Sequence, residues 1–550
     1  MIYPKIPLAQ SIIEVLKAKA IHDIVISPGS RNAPLTIGFA SNPAFNCLSI
    51  ADERCAAFFA LGIAQQKKKP VAIVCTSGSA LLNYYPAIAE AFYSQIPLIV
   101  ISADRPKSKI DIGDGQTIRQ ENVYANHILF NANLDENASE ANDLKINEAI
   151  HQAITKKGPV HINAPFEEPL YETVNELSVV PKIVALFNEA KPLPNLDAFA
   201  QKWNSAKKKL ILIGVNYPDA IDAEIIKQLA EDKSVVVMTE VTSNIHHPNF
   251  ISNIDTIITP FTEEDFSAFQ PEILITIGGM VVSKRIKAFL RKYQPTEHWH
   301  VDELRAYNTF DCLTQHFEIT PNQFFKALFT KTGTVDSDYQ QLALHLKAYR
   351  GLKHNQYVQQ IPFSDMKVFD MILPMLPEHS QLQISNSSPI RYAQLFPIHP
   401  SIEVFCNRGT SGIDGSTTTA IGAAYASKKQ NVMITGDVSF FYDSNALWNN
   451  YIPNTFKIIL INNAGGGIFR ILPGHQETPV FNTFFETSHN LTAEHLAKMY
   501  GFEYFKATDE SEVKSEMISF MKTEKPSIVE IFTPTHVNDA ILKDYFKNLT

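Results

Sequence analysis

NVMITGDVSFFYDSNALWNNYIPNTFKIILINN, residues 431–463, is the stretch whose reading decides the fold. Two short apolar runs bracket it, NVMIT (431–435) and KIILIN (457–462). Continuous runs of this length, rich in Val and Ile, read as strands of a parallel sheet covered on both faces. Asp437 lies just past the first strand, and Asn463 ends the second 26 residues later. That interval is about one helical crossover, the connection that parallel neighbours require. In open α/β sheets ligands bind outside the carboxyl ends of the strands, so both side chains can meet at one crevice. An Asp carboxylate, an Asn carbonyl and a nearby backbone carbonyl are hard oxygen donors. They suit Mg²⁺, whose shell phosphate and water commonly complete. Each half alone has an ordinary explanation, since Asp caps helices and Asn-Asn-x-Gly is turn chemistry. The pair at this spacing carries the signal.

The same strand type recurs outward from this stretch: DIVIS (23–27), VAIVC (71–75), PLIVIS (97–102), KLILIG (209–214), SVVVM (234–238) and EILITIG (272–278). Helix-like segments separate them. A Pro- and Glu-rich break at 165–194 and a polar break at 331–362 divide the chain into blocks 1–180, 190–330 and 350–550. The expected class is α/β, with three doubly wound domains and mainly parallel sheets. The 550 residues are 45% apolar and 19% charged, as in a globular protein. A net charge of −9 argues against nucleic-acid binding. Five cysteines, with no C-x-x-C, point to a reducing cytoplasm rather than a disulfide framework or a zinc site. The N-terminus has no signal-peptide pattern and the longest apolar runs are too short to span a bilayer, so a soluble protein is expected.

Three further clusters could carry chemistry. In SPGSRNAPLT (27–36), Gly29 permits a tight turn before a helix start, and Ser30 and Arg31 offer donors to a carboxylate or phosphate. A plain strand-to-helix turn with a surface arginine fits equally. In ADERCAAFFALG (51–62), Glu53 opens an apolar helix, either as an acid favoured by the helix dipole or as a carboxyl held to exchange a proton. NSSPIRY (386–392) and NRGTSGIDG (407–415) supply Arg391 and Arg408, glycines that admit a ligand to the backbone, and an apolar Ile413. A flexible loop with solvated arginines is the plainer alternative.

Taken together, these motifs resemble the thiamine-diphosphate (ThDP) enzymes of the decarboxylase and acetohydroxyacid-synthase type. The resemblance narrows on SPGSRNAPLT, DERCAAFFALG, TSGSALLNYYPAIAEA (76–91), ISADRP (101–106), SKR (283–285), NSSPIR, NRGTSGIDG and NNAGGGIF (462–469). In that order they are similar to the motifs of the 2-succinyl-5-enolpyruvyl-6-hydroxy-3-cyclohexene-1-carboxylate (SEPHCHC) synthase family of menaquinone biosynthesis. The resemblance implies a pyrimidine-binding domain at 1–180, a linking domain at 190–330 and a diphosphate-binding domain at 350–550. It implies decarboxylation of 2-oxoglutarate and addition of the resulting four-carbon carbanion to isochorismate.

By the same resemblance, Glu53 matches the carboxyl that hydrogen-bonds the cofactor's pyrimidine nitrogen, and Ile413 the apolar prop that bends the cofactor. Pro28, Gly78, Ser387, Gly436, Asp437, Val438, Ser439 and Asn463 match other cofactor positions. Asp437, Asn463 and the Gly465 carbonyl match ligands of Mg²⁺ or Mn²⁺. Ser387, Arg391 and Arg408 match positions near the 2-oxoglutarate-derived group. Ser30, Arg31, Arg105, Gln116 and Lys284 match positions that receive isochorismate, and Ile468, Phe469 and Leu472 match an apolar wall. The chain departs from the pattern at Gly115 and Ala464, where Asn is common, and at Val438, where Leu is usual. A homodimer or homotetramer is implied, because the family's cofactor lies between two subunits. The competing readings are another ThDP enzyme, such as acetohydroxyacid synthase or a flavin-containing oxidase, and a non-catalytic scaffold. The middle block shows no Gly-rich dinucleotide fingerprint, and Glu53 and Asp437 are both present.

Overall fold

The apolar runs form three sheets, and the carboxyl ends of their strands set out the functional residues. The computed structural model describes residues 2–187, 191–471 and 477–550. Two compact units result. The first comprises Met1–Glu189, Asn407–Asn431 and Ser439–Phe456; the second comprises Ala190–Cys406, Val432–Val438 and Lys457–Thr550.

In the first unit the strands lie in the spatial order Asn46–Ser49, Asp23–Ile26, Val71–Cys75, Leu98–Asp104, Val160–Pro165, Asn131–Asn133. Every neighbouring pair is parallel. Val71–Cys75 and Leu98–Asp104 are buried at every residue, because helices cover both faces. One face receives Leu8, Ile12 and Leu16 of helix Pro7–Ala18 and Ile146 and Ile150 of helix Glu140–Lys156. Helix Glu53–Lys67 is buried from Cys55 to Gln65 and packs on Val71–Cys75 and on helix Ser416–Ala426. The two helices meet glycine to backbone. A Cβ at Gly62 would lie 2.2 Å from the Thr419 carbonyl oxygen, and one at Gly422 would lie 2.1 Å from that of Phe59.

The second unit holds two sheets. One runs Val235–Thr239, Lys209–Ile213, Ile273–Ile277, Glu297–Val301, Gln315–Phe317, all parallel. The other runs Glu403–Phe405, Gln381–Ile384, Asn431–Gly436, Phe456–Asn462, Ser527–Phe532, Glu503–Ala507, with parallel pairs at both ends. The expected α/β class with three doubly wound sheets is what the chain adopts. The polar break at 331–362 is mostly a helix, Tyr339–Gln360. It reads as polar because it buries a narrow face that includes Arg350 and His354. Arg350 donates through Nη1 to the Leu549 carbonyl, and His354 Nδ1 lies 2.8 Å from the Tyr545 hydroxyl. Among the described residues no helix is long and apolar enough to cross a membrane.

Each sheet has a point where the strand order reverses, and ligand crevices open there. In the first it lies between Asp23–Ile26 and Val71–Cys75. In the middle one it lies between Lys209–Ile213 and Ile273–Ile277, and in the last between Gln381–Ile384 and Asn431–Gly436.

Candidate active site

At the first unit's reversal point, Pro28, Gly29 and Ser30 follow one strand and are exposed. Gly29 is needed for closeness to the neighbouring strand end rather than for a left-handed turn, since a Cβ there would lie 2.3 Å from Thr76 Cβ. Arg31 is only 4% exposed. It donates through Nη1 to the Phe166 carbonyl at 3.0 Å and through Nη2 to Glu168 Oε1 at 3.1 Å. Its Nε–H is buried and meets no acceptor among the described residues. Gly78 follows the other strand with φ of +86°, and its N–H donates to Gln120 Oε1 at 2.9 Å. Arg105, at the end of Leu98–Asp104, donates through Nε to the Gly115 carbonyl at 2.8 Å. Gln116 is exposed, and its carbonyl oxygen lies 3.4 Å from where a Gly78 Cβ would stand. Ser30, Arg31, Gly78, Arg105 and Gln116 therefore all lie beyond the carboxyl ends of this sheet.

Glu53 is the first residue of its helix, after the N-cap Asp52, which accepts from Cys55 N–H at 3.2 Å. Burial holds the Glu53 carboxyl above its ordinary range; its own backbone N–H opposes this and Asp52 adds to it. The residues on either side are anchored to the 442–445 segment. Asn445 Nδ2 donates to Asp52 Oδ2 at 2.8 Å, and Arg54 donates to the Tyr442 carbonyl at 3.1 Å. Arg54 also stands 3.7 Å from Asp443. Asp443 has a fully buried side chain that accepts from Thr418 N–H at 2.7 Å and Thr418 Oγ–H at 2.8 Å. Burial pushes its carboxyl up to about 7, against the pull of Thr418 and Arg54.

In the loop 407–415, Arg408 and Ile413 are half-buried. The Ile413 carbonyl accepts from Ser439 Oγ at 3.2 Å. Glycines of this loop also serve close packing within the protein. They admit other protein atoms: Gly409 lies against Glu90, and a Cβ at Gly415 would lie 2.2 Å from the Phe58 ring.

In the second unit the two strand ends of the deciding stretch do meet. Asp437 is 2% exposed; its carboxylate accepts from Val438 N–H at 2.7 Å and Gly465 N–H at 2.9 Å. His489 Nε2 lies 3.3 Å from it. Asn463 donates through Nδ2 to Asp365 Oδ2 at 2.9 Å, leaving Oδ1 as the atom available to a cation. Asp365 is buried, also accepts from Thr533 Oγ at 2.5 Å, and is pushed up to about 6 by burial. Ser387, at the facing strand end, is half-buried with φ of +73°, an unusual conformation for a residue with a Cβ. Gly436 faces Pro389, 3.8 Å from the position of an added Cβ. Arg391 is half-buried on helix Ser388–Ala393; burial holds the nearby Asp255 carboxyl above its ordinary range, against the opposing pull of Ser283, Arg285 and Arg391. Lys284 is exposed at the start of helix Lys284–Lys292. Ile468 is half-buried and Phe469 exposed, its ring edge-on to Phe485 at 5.9 Å. Leu472 lies outside the described residues.

Sequence reasoning missed Glu90, Asp365 and Asp443, each of which looks locally like an ordinary helix acid or cap.

Three family profiles match in order: the N-terminal binding domain of thiamine pyrophosphate (ThDP) enzymes at 6–126, their middle domain at 188–384 and their C-terminal binding domain at 387–531. The chain is 71% identical to a 2-succinyl-5-enolpyruvyl-6-hydroxy-3-cyclohexene-1-carboxylate synthase of Flavobacterium psychrophilum, over all of both chains. It is 68% identical to that of Flavobacterium johnsoniae, again over all of both, and 52% identical to that of Christiangramia forsetii over 99% of each. The fold also resembles a thiamine diphosphate-dependent 4-hydroxybenzoylformate decarboxylase of Rhodococcus jostii, with a TM-score of 0.71 at 17% identity over 96% of this chain and 99% of that one. The chain thus belongs to the thiamine-diphosphate-dependent enzymes, within the SEPHCHC synthase family.

Proposed function

We propose that this chain removes CO2 from 2-oxoglutarate and adds the remaining four carbons to isochorismate, with ThDP and Mg²⁺ or Mn²⁺, as a cytoplasmic homo-oligomer. The full-length 71% identity to a synthase whose named product carries a 2-succinyl group carries this reading. A succinyl group is what 2-oxoglutarate leaves on losing CO2.

The residues present fit the cofactor and its metal. Asp437, Asn463 Oδ1 and the Gly465 carbonyl form an all-oxygen set, and Asp365 turns the Asn463 amide so that its oxygen is the free end. ThDP, when bound, supplies the electron sink that decarboxylation requires. Glu53, whose carboxyl burial shifts toward its protonated form, would hydrogen-bond the pyrimidine ring nitrogen. Ile413 would offer the cofactor an apolar surface. Arg391 and Arg408 bind the donor's carboxylates with planar, forked guanidinium groups. Arg31 brings a buried Nε–H still seeking an acceptor, and with Ser30, Arg105, Gln116 and Lys284 it receives the carboxylates of isochorismate. Ile468 and Phe469 form an apolar wall beside the reacting carbon.

The flavin-containing alternative needs the middle sheet's reversal point for its nucleotide. There the two chain segments stay joined beyond the strand ends: Gly214 N–H donates to the Ile277 carbonyl at 2.9 Å and Gly279 N–H to the Val215 carbonyl at 2.8 Å. A Cβ at Gly214 would lie 2.0 Å from the Gly279 carbonyl oxygen. The five cysteines are free thiols, which supports a reducing compartment.

The test is isochorismate consumption by purified protein with 2-oxoglutarate, ThDP and Mg²⁺ omitted in turn. Dependence on all three is expected. If 2-oxoglutarate is decarboxylated while isochorismate stays untouched, the acceptor is wrong. If neither reacts, the reading identifies a fold and not an activity.

A further inference from the structure

Glu90 lies on helix Tyr85–Ser94 and is 1% exposed. A carboxylate at that depth persists only if its oxygens are satisfied. Oε1 accepts from Gly409 N–H at 2.7 Å and from Ser94 Oγ–H at 2.6 Å. Oε2 accepts from Thr410 N–H at 2.7 Å and from Thr410 Oγ–H at 2.9 Å. The approach excludes a side chain at position 409, where a Cβ would lie 2.6 Å from the Glu90 carbonyl oxygen. Two consecutive amides aimed at one carboxylate leave the loop backbone a single orientation. Arg408 immediately precedes the grip, and Ile413 follows it by three residues. Asn407 Nδ2, donating to Thr419 Oγ at 2.9 Å, secures the other side of Arg408.

We propose that Glu90 is a positioning residue for the 2-oxo acid half of the reaction: by gripping Gly409 and Thr410 it aims the Arg408 guanidinium at the donor's distal carboxylate. The inference rests on the reading of Arg408 as a donor-binding residue. A carboxamide cannot replace the carboxylate, because its NH2 would point at an amide N–H that also donates.

The experiment compares wild-type holoenzyme with Glu90→Gln, following CO2 release from 2-oxoglutarate and from 2-oxopentanoate, which lacks the distal carboxylate. Calorimetric titration with a phosphonate analogue of 2-oxoglutarate reads binding without turnover, and ThDP affinity is measured alongside. In Glu90→Gln, the KM for 2-oxoglutarate and the Kd of the analogue should rise about tenfold, while 2-oxopentanoate and ThDP move less than about twofold. Equal losses for both acids, or no rise for 2-oxoglutarate, would overturn the proposal. If Glu90→Gln does not fold, Thr410→Ala removes one donor to the same carboxylate. It should give a smaller rise with the same selectivity, and no rise would again overturn the proposal. A wild-type protein inert toward 2-oxoglutarate would instead sink the reaction assignment, and this inference with it.

Discussion

Replacing Asp443 with Asn should abolish a pH-dependent weakness in the helix pair that carries Glu53. The side chain is fully buried, and its carboxyl is pushed up to about 7. In the unfolded chain it would titrate near the ordinary value of about 3.9. Between those two values the native state keeps a proton that the unfolded state has lost. Stability from this group is therefore complete at low pH and is lost as the pH rises through the window. At about 1.4 kcal/mol per unit, the loss between about pH 5 and pH 8 is about 3 kcal/mol. Asn keeps the contacts: Oδ1 can accept the Thr418 N–H, and the Thr418 hydroxyl can turn to accept from Nδ2. It does not titrate, so the slope should vanish.

The assay is native-state hydrogen exchange of amides in helices Glu53–Lys67 and Ser416–Ala426, with intrinsic rates divided out. It reads local opening and does not require a 550-residue chain to unfold in one step. Relative to wild type, the variant should gain about 3 kcal/mol of opening free energy on going from about pH 5 to pH 8. A difference flat to within about 1 kcal/mol would refute the reasoning and show that Asp443 stays ionised, neutralised by Arg54 across the range.

Glu53→Gln should fold normally yet lose nearly all turnover and slow exchange of the cofactor's thiazolium proton; near-normal activity would remove Glu53 from the mechanism. Arg391→Ala should raise the KM for 2-oxoglutarate far more than the Kd for ThDP, and equal losses would mean that the arginine serves the cofactor. Gly62→Ala places a Cβ 2.2 Å from the Thr419 carbonyl oxygen and should cost about 1–3 kcal/mol as overpacking. Its thermal midpoint should fall, and an unchanged midpoint would show that the two helices part freely.

The sheet classes and the metal-ligand candidates were legible because both follow from local order. An apolar run marks a strand, and the residue after it lies at a crevice whatever the rest of the chain does. Asp437 and Asn463 could thus be paired from 26 residues of spacing, and the Asp437 to Gly465 bond bears out that the two strand ends meet. Glu53 was legible for the same reason, as the first residue of an apolar helix. Glu90 was not, since its partners lie 319 and 320 residues away and nothing in AIAEAF distinguishes a buried acid from a solvated one. Asp365 was hidden likewise, 98 residues from the Asn463 it orients. The glycines of 407–415 were visible, but what each one admits depends on a neighbour that only folding supplies. The polar composition of 331–362 concealed a helix because Arg350 and His354 find buried partners near the far end of the chain.

The crossing of helices Glu53–Lys67 and Ser416–Ala426 has zero clearance. With Gly62 and Gly422 each set against the other helix's backbone, neither helix can shift toward its neighbour, and any added carbon forces them apart. Elsewhere in a core, drift in side-chain size is absorbed by neighbours that change in step. Here no side chain exists to make the compensating change. The acid at the head of the first helix therefore inherits its place from a joint that cannot be retuned by small steps. Diversification of the donor or acceptor accepted by such a scaffold is pushed out to the loops at the strand ends, while the carboxyl of Glu53 stays where the joint puts it.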